Sequence, residues 1–188
     1  MTNDKGQMAL KEWAVAVDAL TQGATILLLR KGGIREEGGR FQVPHREVLL
    51  YPTYEHQNPE LLKPEYAQIT PVASGWHPET VPIGAWAEID TVLPVTDAAV
   101  VERLLPYHIW NQRWVEERLG WKPQQPLYLL LLRTYKLSQP HEIPYRPEYG
   151  GCRSWIELTI GITVEGATPV LSETEYQQRT TDILNLLG

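Results

Sequence analysis

The sequence predicts a single α+β domain with a small mixed or barrel-like sheet, flanking helices at both termini and an inserted helical segment. Its 188 residues, 43% hydrophobic and 21% charged, have the size and composition of one globular domain. Short apolar runs bounded by glycine and proline alternate with segments of helical period. No repeat or long linker divides the chain, so we expect a flexible N-terminus over residues 1–8 and one domain over residues 9–188.

The N-terminal third is predicted to contain one helix and two strands. Apolar side chains at three- and four-residue steps predict a helix over residues 9–20, namely Leu10, Trp13, Ala14, Val17 and Leu20. Residues 24–30 form an apolar run too short for a typical helix, so we predict a buried strand there. Glycine pairs at both ends of residues 31–40 predict a loop, and a second strand is expected over residues 47–51.

The middle of the chain combines a strand with helical pieces. Asn58 followed by Pro59 predicts the start of a short helix. Residues 81–92 alternate between apolar and polar side chains, which predicts a strand with Ala85, Ala87 and Ile89 on its inner face. Thr96 is expected to cap a helix that runs to about residue 105.

The C-terminal half is predicted to hold two helices and two strands. A helix is expected over residues 110–119, ending at a glycine, and dense apolar runs predict strands over residues 127–136 and 155–164. Ser172 and Glu175 have the spacing of a capping box, which predicts the start of a helix that runs to the end of the chain.

The charged residues are distributed unevenly along the chain. The net charge is −6, yet residues 26–57 sum to +1 and residues 127–155 to +2, which leaves −9 for the remainder. An acidic protein has no bulk attraction for nucleic acid or anionic lipid, so a polyanionic partner would have to bind a local basic patch.

Several classes of protein are disfavoured by composition. Cys152 is the only cysteine, so neither an intrachain disulfide nor a multi-cysteine metal site is expected, and a reducing cytoplasm is the predicted location. The first residues lack the apolar core of a secretory signal, and no apolar run is long enough to span a membrane. The spacing of His45, Glu55, His56 and His77 matches no zinc signature, so we predict no metal and no cofactor.

A glycine-rich basic loop is the first candidate binding segment. Residues 30–40 contain Lys31, Arg35 and Arg40 between glycine pairs, and glycines let backbone amides approach an anion while the basic side chains supply charge. The Gly-Lys-Ser/Thr ending of a nucleoside-triphosphate loop is absent. The alternative is a solvated hairpin loop in which neighbouring arginines and glutamates compensate one another.

A second candidate follows the predicted strand at residues 47–51. Residues 51–57 read Tyr-Pro-Thr-Tyr-Glu-His-Gln, where Tyr54 and His56 offer flat faces for a planar ligand and Glu55 offers a hydrogen-bonding edge. The alternative is a capped turn with packed tyrosines.

The third candidate segment covers residues 145–155, a glycine-containing turn flanked by rings and arginines. If the fold brings this turn beside the first loop, a common groove would combine basic and stacking side chains, with Arg133, Arg153, Tyr135 and Trp155 contributing beside the loop arginines.

Four segments resemble a known bacterial family. Residues 9–14 (ALKEWA), 27–34 (LLLRKGGI), 51–57 (YPTYEHQ) and 149–155 (YGGCRSW) are similar to the family called domain of unknown function 1802. The resemblance covers nearly the whole chain and implies no particular activity.

A weaker, fold-level resemblance concerns small barrels. Residues 84–89 and 129–158 resemble late strands of pseudouridine-synthase-and-archaeosine-transglycosylase (PUA) and ASCH-type domains, which often bind RNA or modified bases. The helices predicted between residues 96 and 120 would be an unusual insertion in such a barrel.

These observations favour a noncatalytic binding module for nucleic acid, RNA in particular, or for a nucleotide-like ligand. Basic side chains would contact phosphates, namely Lys31, Arg35, Arg40, Arg133 and Arg153. Rings would contact bases, namely Tyr54, His56 and Trp155, with Tyr135 as a further stacking surface.

Two alternatives remain open at this point. One is an enzyme for a small polar substrate, with His56 as acid or base, Glu55 as its orienter and Cys152 as a less favoured nucleophile. The other is a protein-interaction subunit that exposes Trp110, Trp114 and Trp121. The oligomeric state is left open.

Overall fold

The computed structural model describes residues 7–31, 41–69, 72 and 76–188. The elements in chain order are β1 (Gln7–Trp13), α1 (Ala14–Thr21), β2 (Leu27–Arg30), β3 (Glu47–Thr53), β4 (Thr80–Val95), α2 (Ala98–Arg103), α3 (Gln112–Gly120), β5 (Leu127–Pro144), β6 (Trp155–Leu158), β7 (Thr168–Pro169) and α4 (Glu173–Asn185). Short 3₁₀ turns lie at Pro59–Leu61, Pro64–Tyr66, Leu105–Tyr107 and Pro147–Tyr149. The strands form one sheet, which confirms the predicted α+β class.

The sheet is mixed, as predicted. Its strand order is β2-β5-β4-β3-β1-β6, with β7 beside β5. β1 and β3 are parallel, and the other paired strands are antiparallel. β2 and β6 form the two ends of this order, and within the described ranges no backbone pairing joins them. The sheet is therefore open, with a seam between β2 and the pair of β1 and β6.

The longest strands, β4 and β5, pair along most of their length. Their register runs from Thr80 opposite Pro144 to Val95 opposite Leu127, with two irregularities. The predicted alternation in β4 is confirmed, since Ala85, Ala87 and Ile89 are fully buried while Glu88 and Asp90 are exposed. β5 extends beyond the predicted end at residue 136 because the first residues of β4 supply partners for it.

The helix predicted over residues 9–20 is wrong in its first part. Residues Gln7–Trp13 form strand β1, and the helix begins at Ala14. β1 lies between β3 and β6, and its neighbours Ala9 and Leu10 join different hydrophobic clusters. Because both faces of the strand are covered, no period-two alternation marks it, and its apolar spacing resembles that of a helix. β1 begins two residues before the predicted domain boundary, and residues 1–6 lie outside the described part.

Other boundaries differ for local reasons. Asp97, rather than Thr96, caps α2, with its Oδ1 accepting from the Ala99 N–H at 2.8 Å. β6 ends at Leu158, short of the predicted residue 164, and Leu158 pairs with Gln7, the first described residue of the chain. The predicted capping box at the start of α4 is confirmed.

Candidate functional site

A cleft of about 430 Å³ opens at the seam of the sheet. Side chains from β1, β2, the turn after β3, α3 and the turn before β6 contribute to it. The lining residues are Lys11, Glu12, Trp13, Leu29, Arg30, Lys31, Thr53, Glu55, His56, Leu61, Trp110, Trp114, Arg118, Trp121, Gly151, Cys152, Arg153 and Ser154.

Arg30, the last residue of β2, bridges the seam with its side chain. Its Nη1 donates to Oε2 of Glu12 on β1, and its Nη2 donates to Oγ of Ser154, just before β6, at 2.7 Å. The other oxygen of Glu12 accepts from the Trp13 N–H at 2.8 Å. The Arg30 guanidinium also lies over the ring of Phe41, 5.7 Å from its centroid. One planar fork thus connects the two sides of the seam.

A buried ion pair forms a second wall of the cleft. The Nζ of Lys11 lies 2.8 Å from Oε2 of Glu55, and both side chains are 4% exposed. Lys11 also donates to the carbonyls of Tyr149 and Gly151, each at 2.9 Å. The same Glu55 oxygen accepts from the Gly151 N–H at 3.2 Å. Lys11 and Glu55 therefore both hold the glycine turn, since Lys11 donates to its carbonyls and Glu55 accepts from its N–H.

The Gly150-Gly151 turn depends on the absence of side chains. Gly151 has φ of +80°, a region that non-glycine residues rarely adopt. A Cβ on Gly150 would lie 2.5 Å from the Tyr145 hydroxyl. This close turn presents Cys152 and Arg153, both exposed, at the edge of the cleft.

Arg118, in the last turn of α3, places a half-buried guanidinium in the cleft. Its Cζ lies 5.4 Å from the Trp114 ring centroid and 5.8 Å from that of Trp121. Among the residues with described positions, none forms a hydrogen bond or ion pair with this guanidinium. Burial, followed by the charge of Arg30, lowers the pKa of Arg118. The group is a cation beside two rings, and it lines the cleft without an acceptor among the described residues.

Lys31 lies beside Arg118. Its Nζ donates to the Arg118 carbonyl at 2.7 Å and to the Leu119 carbonyl at 3.4 Å, at the C-terminal end of α3. Burial, followed by the charge of Arg118, lowers the pKa of the Lys31 ammonium. An ammonium at a helix C-terminus is favoured by the helix dipole, but no carboxylate pairs with it in the described part of the chain.

The cleft consequently carries an excess of positive charge. In the Lys11–Glu55 and Arg30–Glu12 ion pairs, the positive and negative charges cancel. Lys31, Arg118 and Arg153 also line the cleft, and no described carboxylate forms an ion pair with any of them. Three cations in one cleft, without a carboxylate ion pair among the described residues, suit an anionic ligand.

The structure brings together only some of the candidate residues named from the sequence. Lys31, Glu55, His56 and Arg153 line the cleft. Tyr54 lines a separate, much smaller cavity together with His77 and Tyr145. Arg35 and Arg40 lie outside the described residues.

Trp155, Arg133 and Tyr135 do not line the cleft. The indole N–H of Trp155 donates to the Gln42 carbonyl at 2.8 Å. Arg133 pairs with Glu173 of α4, and Tyr135 stacks on Trp86 at 4.2 Å between centroids. The common groove expected to unite Arg133 and Tyr135 with Arg153 is therefore not formed, because β5 directs the two side chains toward α4 and β4.

The arrangement expected for an enzyme also differs from the structure. Glu55 pairs with Lys11, whereas the exposed His56 has φ of 60° and places its ring edge-on against Trp76, 5.0 Å between centroids. No hydrogen bond joins these two described side chains. Glu55 therefore does not orient His56.

The expected exposed tryptophan patch is not formed. Trp110 and Trp114 are 2% and 4% exposed and stack at 4.5 Å between centroids, while Trp121 is 37% exposed. The stacked pair forms an inner wall of the cleft, because α3 packs its apolar side onto the core.

Three charged residues of the cleft are not identified from the sequence, namely Lys11, Glu12 and Arg118, and Arg30 lies within the candidate loop at residues 30–40 without being named as a ligand-binding residue. As part of a helix, Lys11 and Glu12 would lie on a solvated face, but β1 buries both. Arg118 had a usable signal, since Trp114, Arg118 and Trp121 are spaced four and three residues apart, the spacing of neighbours on one side of a helix, although α3 ends one residue before Trp121.

The fold and the cleft define a single-domain α+β protein with an open mixed sheet and a basic cleft at its seam. Residues 9–182 match the family model described as domain of unknown function (DUF1802). The chain belongs to this family.

Comparison with solved structures gives a distant likeness. The ASCH protein of Zymomonas mobilis is 12% identical, with 95% of this chain and 96% of that chain covered and a TM-score of 0.49. A serine-to-alanine mutant of the Zymomonas mobilis protein is 11% identical, with coverages of 96% and 97% and a TM-score of 0.47. No curated protein matches the chain.

Two further features concern membranes and metals. Among the described ranges, no helix is long and apolar enough to cross a membrane. In the same ranges, no three histidine, cysteine or acidic side chains are grouped so that they would hold a metal ion.

Proposed function

We propose that this protein is a noncatalytic binding module that accepts RNA, or a nucleotide-like ligand, in the cleft at the seam of the sheet. Lys31, Arg118 and Arg153 contact phosphate oxygens. His56 and the partly exposed Trp121 offer ring faces to a base. This assignment keeps Lys31, His56 and Arg153 from the sequence prediction and adds Arg118 and Trp121.

The state of Arg118 carries the proposal. A buried or half-buried charge is normally paired, since removal from water is unfavourable without a compensating group. Arg118 has two rings beside it and no acceptor in the described part of the chain. A phosphate accepts two parallel N–H donors from a guanidinium, which is the geometry that arginine favours.

The dimensions and the wall of the cleft support a nucleotide-like ligand. About 430 Å³ falls in the range of roughly 300–1,000 Å³ that is typical of small-molecule sites. The wall combines tryptophan rings with basic groups, so one ligand can both stack and form charged hydrogen bonds. The weaker, fold-level resemblance of residues 84–89 and 129–158 to PUA- and ASCH-type domains favours RNA over DNA.

The four segments that resemble the family all reach this cleft. Lys11 comes from the first, Arg30 from the second, Glu55 from the third and Cys152 from the fourth. Segments that are far apart in the sequence thus supply most of the residues that line the cleft. This convergence supports the cleft as the functional site.

Fluorescence anisotropy with short labelled RNA and DNA at several salt concentrations tests the proposal. Arg118→Gln should weaken binding about tenfold or more, as expected for loss of a charged bidentate contact. It should also reduce the salt slope by about 0.7 for each lost phosphate contact on a single strand. Arg113→Gln is the matched control, because Arg113 lies on the same helix but is exposed and pairs with Glu60 and Glu117.

Three outcomes would change the assignment. Equal affinity of wild type and Arg118→Gln would remove the cleft as the binding site. Absence of binding at low salt, where charge attraction is strongest, would reject the nucleic-acid ligand. Cleavage of the RNA during incubation, followed on a denaturing gel, would show that the module is catalytic.

A further inference from the structure

We infer that the cleft selects a terminal phosphomonoester, on a free nucleotide or at the end of an RNA strand, over an internal phosphodiester. This inference rests on the proposed function and names the chemical group that the site recognises. Its first support is the position of the open arginine fork. The Arg118 guanidinium is half-buried between Trp114 and Trp121, so a ligand group has to enter the cleft to reach it.

The number of uncompensated charges agrees with a monoester. At neutral pH a phosphomonoester carries about −1.5 to −2, whereas an internal diester carries about −1. Lys31 and Arg118 lie side by side without a carboxylate partner in the described ranges, and Arg153 is on the edge of the same cleft. A doubly charged group would compensate this cluster better than a singly charged one.

The size of the site points the same way. Single-strand binding surfaces follow the backbone over about 4–16 nucleotides and present basic and aromatic groups in series. Here the basic groups gather in one cleft of about 430 Å³, and the chain as a whole has a net charge of −6. A compact basic cleft in a chain of negative net charge suits one phosphate end better than a continuous backbone.

Two other basic residues of the cleft, Arg30 and Lys11, are already engaged in ion pairs and are not the groups that bind the phosphate. Arg30 is engaged by Glu12 and Ser154, and Lys11 is surrounded by Glu55 and two backbone carbonyls. These contacts hold both side chains within the protein. Among the described cations of the cleft, Arg118 is therefore the fork, Lys31, which also donates to two carbonyls of α3, is the adjacent point charge, and Arg153 lies at the edge.

The test compares one short RNA sequence in three forms, with a 5′-phosphate, with a 3′-phosphate and with hydroxyls at both ends. Adenosine monophosphate and adenosine, followed by quenching of tryptophan fluorescence, form a second pair. We expect the phosphate-bearing member of at least one pair to bind about tenfold tighter or more. A preference among the RNA forms identifies a strand end as the ligand, and a preference confined to the nucleotide pair identifies a free nucleotide.

Two variants test whether the preference comes from Arg118. Arg118→Gln should bring the affinities of phosphate and hydroxyl forms together, and Arg118→Lys, which keeps the charge without the fork, should retain part of the difference. Arg113→Gln should keep the full difference, and thermal unfolding of each variant shows whether it is folded.

Different results would overturn the selection of a phosphate end and the RNA-binding function. If RNA binds in the cleft with equal affinity whether its ends carry phosphate or hydroxyl, the end selection is wrong and the binding function stands. If neither RNA nor nucleotide binds at low salt, both are wrong. An end preference that persists unchanged in Arg118→Gln would also overturn the inference.

Discussion

The Nζ of Lys11 and the Oε2 of Glu55 lie 2.8 Å apart with both side chains almost completely buried. Lys11 belongs to β1, and Glu55 to the turn that follows β3. Their shared contact with Gly151 fixes the turn before β6. This pair therefore determines where Cys152 and Arg153 meet the cleft.

Lys11→Met should lower the free energy of unfolding by about 3–5 kcal/mol, because it leaves the buried Glu55 charge without a partner. Urea unfolding followed by fluorescence measures the change. Lys11→Met combined with Glu55→Leu should be more stable than Lys11→Met alone, since the isolated charge is removed. Arg113→Met, at an exposed pair, should change stability little. A double variant less stable than Lys11→Met would contradict this account of the pair.

Gly150→Ala should destabilise the fold by about 1–3 kcal/mol, because the new Cβ meets the Tyr145 hydroxyl and the turn has to shift. Gly120→Ala is the control, since nothing lies within 4 Å of its added Cβ. That substitution should be neutral or stabilise by up to about 1 kcal/mol. Thermal unfolding compares the two. In a Tyr145→Phe background the cost of Gly150→Ala should fall, and an unchanged cost would contradict the proposed clash.

Arg30→Lys should destabilise the seam by about 1–3 kcal/mol, because an ammonium cannot reach both Glu12 and Ser154 in the geometry of the guanidinium fork. Chemical denaturation gives the magnitude, and Arg113→Lys on the exposed side of α3 serves as the control. Equal stabilities of Arg30→Lys and wild type would show that charge alone holds the seam.

The stability of the protein should fall as pH decreases because of His108. This ring is 2% exposed and lies near Trp110. Burial, followed by the charge of Lys63, lowers its pKa from 6.5 to about 3. In the unfolded chain His108 is protonated as the pH falls through about 6.5, whereas in the folded chain it stays neutral until about pH 3.

The expected loss from His108 is about 2 kcal/mol between about pH 7 and about pH 5. Urea unfolding at both values should show it in wild type, and His108→Phe should have a correspondingly shallower pH dependence. His45→Gln, an exposed histidine, is the control and should keep the wild-type slope. A slope unaffected by His108→Phe would contradict the assignment.

The single thiol, Cys152, reports on occupation of the cleft. It is exposed and lines the cleft, so a thiol reagent should react with the folded protein and a bound ligand should slow the reaction. Attachment of a bulky maleimide should block ligand binding. Cys152→Ser treated with the same reagent should bind as the untreated protein does. Unhindered binding by the labelled protein would place the ligand elsewhere.

Local signals predicted the elements whose surroundings are simple. The alternation in β4 reflects one buried and one exposed face, and the Ser172–Glu175 capping box lies within four consecutive residues. β1 was misassigned because its two faces are buried by different clusters, so the residues around Lys11 show no strand period. The spacing of Arg118 from Trp114 and Trp121 is visible in the sequence. The cleft beside Arg118 is formed by distant segments, so the sequence does not reveal it and Arg118 is not predicted.

The sequence by itself determined the α+β class, most of the strands and helices, the lone cysteine and the segregation of charge, since these depend on composition and on contacts between near neighbours. Only the tertiary structure decided which charges remain uncompensated. Lys11 reaches Glu55 across 44 positions and Tyr149 across 138, and Arg30 reaches Ser154 across 124. Such pairings follow from the strand order and the open seam, and within the described residues they leave Lys31, Arg118 and Arg153 without a carboxylate partner.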